Sequence, residues 1–409
     1  MIRSMYSGIG GMKNFQTKLD VIGNNIANVN TFGFKKGRTT FKDLVSQQLA
    51  GSSNPTDNRG GTNPRQIGLG GTLATIDTIH TQGSLQTTGR ALDLGISGDG
   101  FFIVNDGDLS SYTRAGNFYL DRQGTLVTGD GLKVQGYQPN AAGNGINQNN
   151  FGDLRIESGE VIPPQATTAI GFKGNLDAEA QAPNNSVTVQ YKVVDPLGAT
   201  HDVEIVLTKN GTNAWGYAVN QVGNAASLGN GNITFDGATG ALLTGGQIAP
   251  LTFNPTAISG AAAFNFNIDL TSLTQFAGSN TADVDEIDGN FEGYLESFNI
   301  SQTGEINGVY TNGEVRILGQ LAMATFNNTG GLTKSGDNLF RVSNNSGAPN
   351  IGFAGEGRGV ISGSSLEMSN VDLSEEFTEM IVAQRGFQAN TKMITTSDEI
   401  LQELVNLKR

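Results

Sequence analysis

The chain has 409 residues, a formal net charge of −13 and no cysteine. The missing cysteine excludes disulfide scaffolds, thiolate–metal sites and cysteine catalysis, and the acidic balance disfavours nucleic acid and anionic membranes as partners. Only 15% of residues are charged and 57 are glycine, which describes a turn-rich, small-polar chain with β-type cores and excludes one large helical core.

In chain order, the first residues, MIRSMYSGIGGMKN, lack the apolar core of a cleaved secretion signal. No 18-residue apolar run occurs anywhere, so no membrane-inserted helix is expected. From Met12 the apolar residues Met12, Phe15, Leu19, Ile22, Ile26 and Val29 recur in alternating steps of three and four, the seam pattern of a coiled coil. Gly8, Gly10 and Gly11 weaken the start of this helix by roughly 0.5–1 kcal/mol each, so its first turns should order only when something packs on them. Residues 31–70 hold few apolar side chains after Phe41–Leu49, and the run from Gly51 to Gly71 reads as loop.

The chain then becomes β. Asp121–Gly124 and Gly129-Asp130-Gly131 are turns between apolar runs. Residues 139–153 read as a loop that marks a composition shift. Beyond it, Val187, Val189, Tyr191 and Val193 alternate with polar residues up to the turn Asp195-Pro196-Leu197-Gly198, and Val203, Ile205 and Leu207 alternate again before Asn210-Gly211. After an acidic stretch near 279–290, read as a solvated linker, turns at Thr303-Gly304 and Asn312-Gly313 punctuate a further meander. At the C-terminus Leu373, Met380, Phe387, Ile394 and Leu401 recur every seven residues. The flanking seam position is apolar at Phe377 and Val405 and polar between. Asp372 with Glu375 predicts a capping box at the start of a helix over 373–405, about 50 Å long. Glu375, Glu376 and Glu379 suit its N-terminal dipole end, and Lys408 and Arg409 its other end. Residues 1–43 hold seven basic and two acidic residues, and residues 366–409 four basic and eight acidic. The two ends are therefore electrostatically matched for helix–helix pairing. The fold class expected is mainly β with α-helical termini: coiled-coil helices at the ends and two antiparallel β domains of barrel or sandwich type.

No constellation for catalysis emerges. His80 and His201 are the only histidines, 121 positions apart, and both read as surface or turn residues. No phosphate-cradling glycine motif follows a strand. Asp283, Asp285, Glu286, Asp288 and Glu292 lack the spacing of a calcium loop. No metal, cofactor or catalytic residue is expected.

Three segments carry a resemblance. LDVIGNNIANVNTFGFKKGRTTF at 19–41, ALDLGISGDGFFIV at 91–104 and LEMSNVDLSEEFTEMIVAQRGFQANTKMITTSDEILQELVNLKR at 366–409 resemble, in this order, the shared segments of the bacterial flagellar rod and hook axial proteins. The motif positions matched include Asn24, Asn25, Asn28, Asn30, Thr31, Gly33 and Phe34 near one end and Ser369, Asn370 and Val371 near the other. VQYKVVDPLGATHDVEIVLTKNGTNAWGYAV, starting at Val189, is similar to the outer β domain carried by the curved-tube members; the straight distal rod member is expected to lack that insert. The resemblance implies nested layers: a helical inner domain from 1–30 and 366–409, a connector at 31–70, a discontinuous middle β domain from 71–150 and 289–365, and an outer β domain at 151–288. It implies a polymerisation interface formed by Met12, Phe15, Leu19, Ile22, Ile26, Val29, Leu373, Phe377, Met380, Phe387, Ile394 and Leu401. It further implies self-assembly into a short flexible tube that passes motor torque to a filament. The partners would be the distal rod, a cap, the junction proteins and the flagellar export apparatus, which reads an uncleaved signal. Two other classes stay open at this point, a β-rich surface adhesin and a secreted β-rich enzyme.

Overall fold

The structure is a computed structural model, and it describes residues 2–407 apart from 53, 56–58, 108, 141, 142, 144, 158, 160, 182–184, 224–226, 257 and 258. Lys408 and Arg409, expected at the C-terminal dipole end, lie outside the described residues. Two helices, α1 (Ile2–Ala27) and α2 (Leu373–Asn406), bracket a chain of short strands. Asp372 caps α2 by accepting from the Ser374 and Glu375 amides. The reciprocal half of the capping box does not form, because the Glu375 carboxylate turns to Lys36 at 2.7 Å.

Contacts divide the chain into two units. One holds residues 1–157, 298–307 and 317–409, and the other 158–297 and 308–316. In the first unit, Lys133–Pro139 is the centre of an antiparallel sheet, pairing with Phe101–Asn105, with Ile146–Asp153 and, at Gly136 and Tyr137, with Leu321 and Gln320. Phe101–Asn105 pairs in turn with Ser110–Thr113, which pairs with Leu339–Arg341. Phe101, Ile103, Tyr112, Ala322, Ala324, Phe326, Leu332 and Phe340 form the core behind it.

The second unit is two open sheets around one core. Strands Ser186–Val194, Thr200–Gly211, Ala214–Gln221, Ser227–Phe235 and Leu242–Thr244 make a meander. A four-stranded sheet with Ala169–Asp177 and Phe264–Phe276 at its centre covers the inner face of that meander. The alternation read at Val189, Tyr191 and Val193, and at Val203, Ile205 and Leu207, places these side chains in the shared core with Trp215.

Several expectations are corrected. Neither unit closes into a barrel among the described residues. The pairing is not wholly antiparallel, since Ala169–Asp177 and Phe264–Phe276 run parallel. Parallel neighbours need a long crossover, and here the five-stranded sheet supplies it in place of a helix. The β structure starts at Gly37–Asp43, which pairs with Gly71–Thr78, and within the expected loop Arg65–Gly68 pairs with Ser46–Ala50. Residues 139–153 are mostly a strand of a hairpin. The acidic stretch is not a linker: Asp283–Ile287 is an edge strand on Ala169–Asp177, with Asp285 paired to Lys173 and Asp288 accepting from the Thr168 and Ala169 amides. Charges on an edge strand discourage further strand addition.

His201 is not a surface residue. It is buried, its Nε2 lies 2.9 Å from Asp195 Oδ2, and the Ser259 hydroxyl donates to the same oxygen. Aspartate sits between the other two, so the serine is not activated by the histidine; the group ties the 195–198 turn to its neighbours. Hydrogen bonds from Ser259, His201 and the Ala199 and Leu197 amides outweigh the burial that would raise it and hold the Asp195 carboxyl at about 2.

Leu207 is fully buried in the core that contains the chain's single tryptophan. Leu207→Ala should cost the second unit about 2–5 kcal/mol. The expected result is a Trp215 fluorescence transition at lower temperature, with the calorimetric transition of the first unit unmoved.

Candidate assembly surface

The two helices pack antiparallel. Gly8 lies against Ile394, Gly11 against Asn390 and Phe15 against Gly386, while Lys18 pairs with Glu379 and Asn25 donates to Glu376. Glycine has a different role here from the weakening read in the sequence. A Cβ on Gly386 would stand 2.5 Å from the Phe15 ring, and one on Gly11 would stand 2.8 Å from the Asn390 side chain. Ala383 between them is fully buried. Small residues let the helix axes approach closely.

The line of contact on α2 runs Glu376, Glu379, Ala383, Gly386, Asn390 and Ile394, which averages 3.6 residues per turn. The seven-residue line of Leu373, Met380, Phe387, Ile394 and Leu401 meets it only at Ile394. A straight helix drifts about 20° per heptad from a strict 3.5 repeat. Leu373 and Phe377 are accordingly exposed, and Met380, Phe387, Ile394 and Leu401 half-buried. On α1, Ile22 is buried, and Met12, Phe15, Leu19, Ile26 and Val29 are half-buried. The pair leaves apolar side chains in the open: Tyr6 and Ile9 on α1, and Phe377, Ile381, Val382, Met393, Ile400 and Val405 on α2. These exposed apolar side chains make the helix pair a candidate interaction surface.

The matched motif residues build the base of this helix pair. Asn28 donates to the Asn24 carbonyl and accepts from Thr31, closing the C-terminal end of α1. Buried Asn25 clamps Gly37 through both its amide and its carbonyl. Asn370 accepts from the Lys36 amide and donates to the Ile79 carbonyl, while the Ser369 hydroxyl accepts from the Val371 amide. Val371 and Phe34 are buried, and Asn30 is exposed. Gly33 has a φ of +69°, and a Cβ there would fall 2.6 Å from the Ala115 nitrogen, so both backbone strain and space demand glycine.

Under this base lies a charge cluster invisible in the motif. Glu367 accepts from Lys35 Nζ at 2.6 Å, from the Gly83 amide at 2.9 Å and from Arg114 Nη1 at 3.2 Å. All three side chains are at most 3% exposed. Lys35 also donates to the Thr81 carbonyl and Arg114 to the Gly98 carbonyl. Burial pushes the Lys35 amine below its ordinary value against the pull of Glu367. His80 sits beside them between Phe101 and Phe340. Burial, then Lys35, Arg114 and Lys334, press it down to about 4. In the sequence Lys35 and Lys36 look alike; one is buried and the other forms a surface pair with Glu375.

Family comparisons agree with this geometry. Residues 5–35 match the family "Flagella basal body rod protein", 95–178 the "Flagellar hook protein FlgE/F/G D1 domain", 163–290 the "Flagellar basal body protein FlaE D2 domain" and 362–407 the "Flagellar basal body rod FlgEFG protein C-terminal". The chain belongs to the FlgE/FlgF/FlgG family of flagellar hook and basal-body rod proteins. It is 42% identical to the flagellar hook protein FlgE of Borreliella burgdorferi and 39% identical to the flagellar basal-body rod protein FlgG of Bacillus subtilis, with all of each chain covered in both cases. The crystal structure of Helicobacter pylori flagellar hook protein FlgE2 shares the fold at a TM-score of 0.50 and 15% identity, over 69% of this chain and all of that one.

Two outcomes are expected. Gly386→Val should keep the helices from closing on each other and suppress self-assembly followed by light scattering, with both β transitions unchanged in calorimetry. The folded pKa of His80 lies below its ordinary 6.5, so the unfolded state takes up the proton first. The stabilisation from neutral His80 is then full above pH 6.5 and is lost as pH falls toward 4, by up to about 3 kcal/mol. Calorimetry of the first unit across that window should show the slope, and His80→Leu should flatten it.

Proposed function

We propose that this chain is a structural subunit of the flagellar hook, polymerising into a short curved tube that carries motor torque to the filament. The observation that carries this reading is the apolar surface left on the paired terminal helices of a chain that matches hook proteins from end to end. Burying a large apolar side chain contributes roughly 1.5–3 kcal/mol, and in a helical tube that gain recurs at every subunit. Continuous helix contacts make a stiff inner layer. The sparsely charged β units suit polar contacts that slide as the tube bends. The distal rod, cap, junction proteins and export apparatus would be its neighbours, and export would use an uncleaved N-terminal signal.

A rod role is the second reading. A relative named as a rod protein aligns with the whole chain, insert included, so the presence of the insert does not separate hook from rod as expected. Electron microscopy of purified protein does, since the hook reading expects curved tubes and the rod reading straight ones.

Phe377 is 47% exposed, so Phe377→Asp should leave monomer melting within about 0.5 kcal/mol. It should abolish tubes. Normal tubes from this variant would show that its stripe is not the polymerisation surface.

A further inference from the structure

The buried Lys35–Glu367–Arg114 cluster stands where the chain leaves and re-enters the helix pair. Lys35 follows the last residue of α1 by eight positions, and Glu367 precedes the first residue of α2 by six. Glu367 alone ties its own strand to three other pieces of chain. Its carboxylate takes Lys35, Arg114 and the Gly83 amide, and its backbone carbonyl accepts from Gly33 at 2.8 Å. Its strand, Ser365–Glu367, pairs with Leu85–Thr87. On the helix side, Asn25 holds Gly37 and Glu376, and Asn370 holds the Lys36 amide and the Ile79 and Thr81 carbonyls.

An apolar plug would serve stability as well or better, because buried ion pairs seldom outdo well-packed hydrophobic replacements. The cluster also holds two cations against one anion, which is a poor choice for stability alone. It does supply direction. Charge-assisted hydrogen bonds fix angles, whereas apolar contacts are non-directional. We propose that Lys35, Glu367 and Arg114 are positioning residues for assembly: they fix the angle at which the helix pair leaves its β domain, and with it the helical twist and rise of the tube. This deepens the hook reading and rests on it.

The test replaces all three together, Lys35→Met, Glu367→Leu and Arg114→Met, which keeps the volume and removes both the charges and the directed bonds. The triple variant should still fold cooperatively, with a melting temperature lowered by no more than the loss of partners for the Gly83 amide and the Gly98 carbonyl. It should form no tubes, or tubes whose twist and rise, measured by helical reconstruction, differ from wild type. A purely structural role would leave tube geometry unmoved in a stably folded variant, and that result overturns the proposal. If the triple variant does not fold, Lys35→Met decides the matter. It removes the donor to Glu367 and Thr81 and leaves Arg114 and Glu367 as a neutral pair. A folded Lys35→Met chain should show a changed twist, and unchanged twist and rise would again overturn the proposal. Failure of the wild-type chain to form any tube would count against the hook reading itself.

Discussion

One buried carboxylate organises the root of the terminal helix pair. Glu367 is held by two cations and a backbone amide with almost no access to solvent. Removing Glu367 from such a cluster would leave two uncompensated buried cations, at a cost of about 3–5 kcal/mol. The connector after α1 and the segment before α2 are thereby fastened to the same β framework. The asparagines at 25 and 370 repeat the fastening at the next level with bonds to backbone groups. The helices can then pair antiparallel with little further loss of chain freedom, because both roots are already in place.

Above that anchor the packing is incomplete by design. Gly11, Ala383 and Gly386 bring the helices close along one narrow line. A single line buries one face of each helix and leaves the others apolar and open. A two-helix hairpin of this kind has too little buried area to be stable alone, and more copies of the same helices are the natural cover. The β units show the opposite balance, with large residues such as Trp215, Phe172 and Phe266 fully enclosed.

Much of this was legible in the sequence where the governing physics is local. The two-residue alternation from Val187 to Val193, the turn at Asp195–Gly198 and the cap at Asp372 depend on neighbours in the chain, and they read correctly. Non-local features did not. The parallel pairing of Ala169–Asp177 with Phe264–Phe276 spans about 90 residues of intervening sheet. The contact of α2 with α1 runs through Ala383, Gly386 and Asn390, small and polar positions that an apolar pattern does not mark. Gly11 reads as a helix weakener until Asn390 is placed over it. Lys35, Arg114 and Glu367 carry no spacing signal at all, since their meeting is created by the fold. The matched motif marked the base of the helix pair but not why its asparagines are there.

The central claim is that the paired terminal helices are an incomplete surface finished only by other copies of the chain. Hydrogen exchange measured on monomer and on assembled tube addresses it directly. The account predicts that amides across residues 5–26 and 375–400 exchange within seconds to minutes in the monomer and gain on the order of 100-fold protection or more in the tube. Those of the Thr200–Gly211 strand should stay equally protected in both. Helices already as protected in the monomer as in the tube would contradict it.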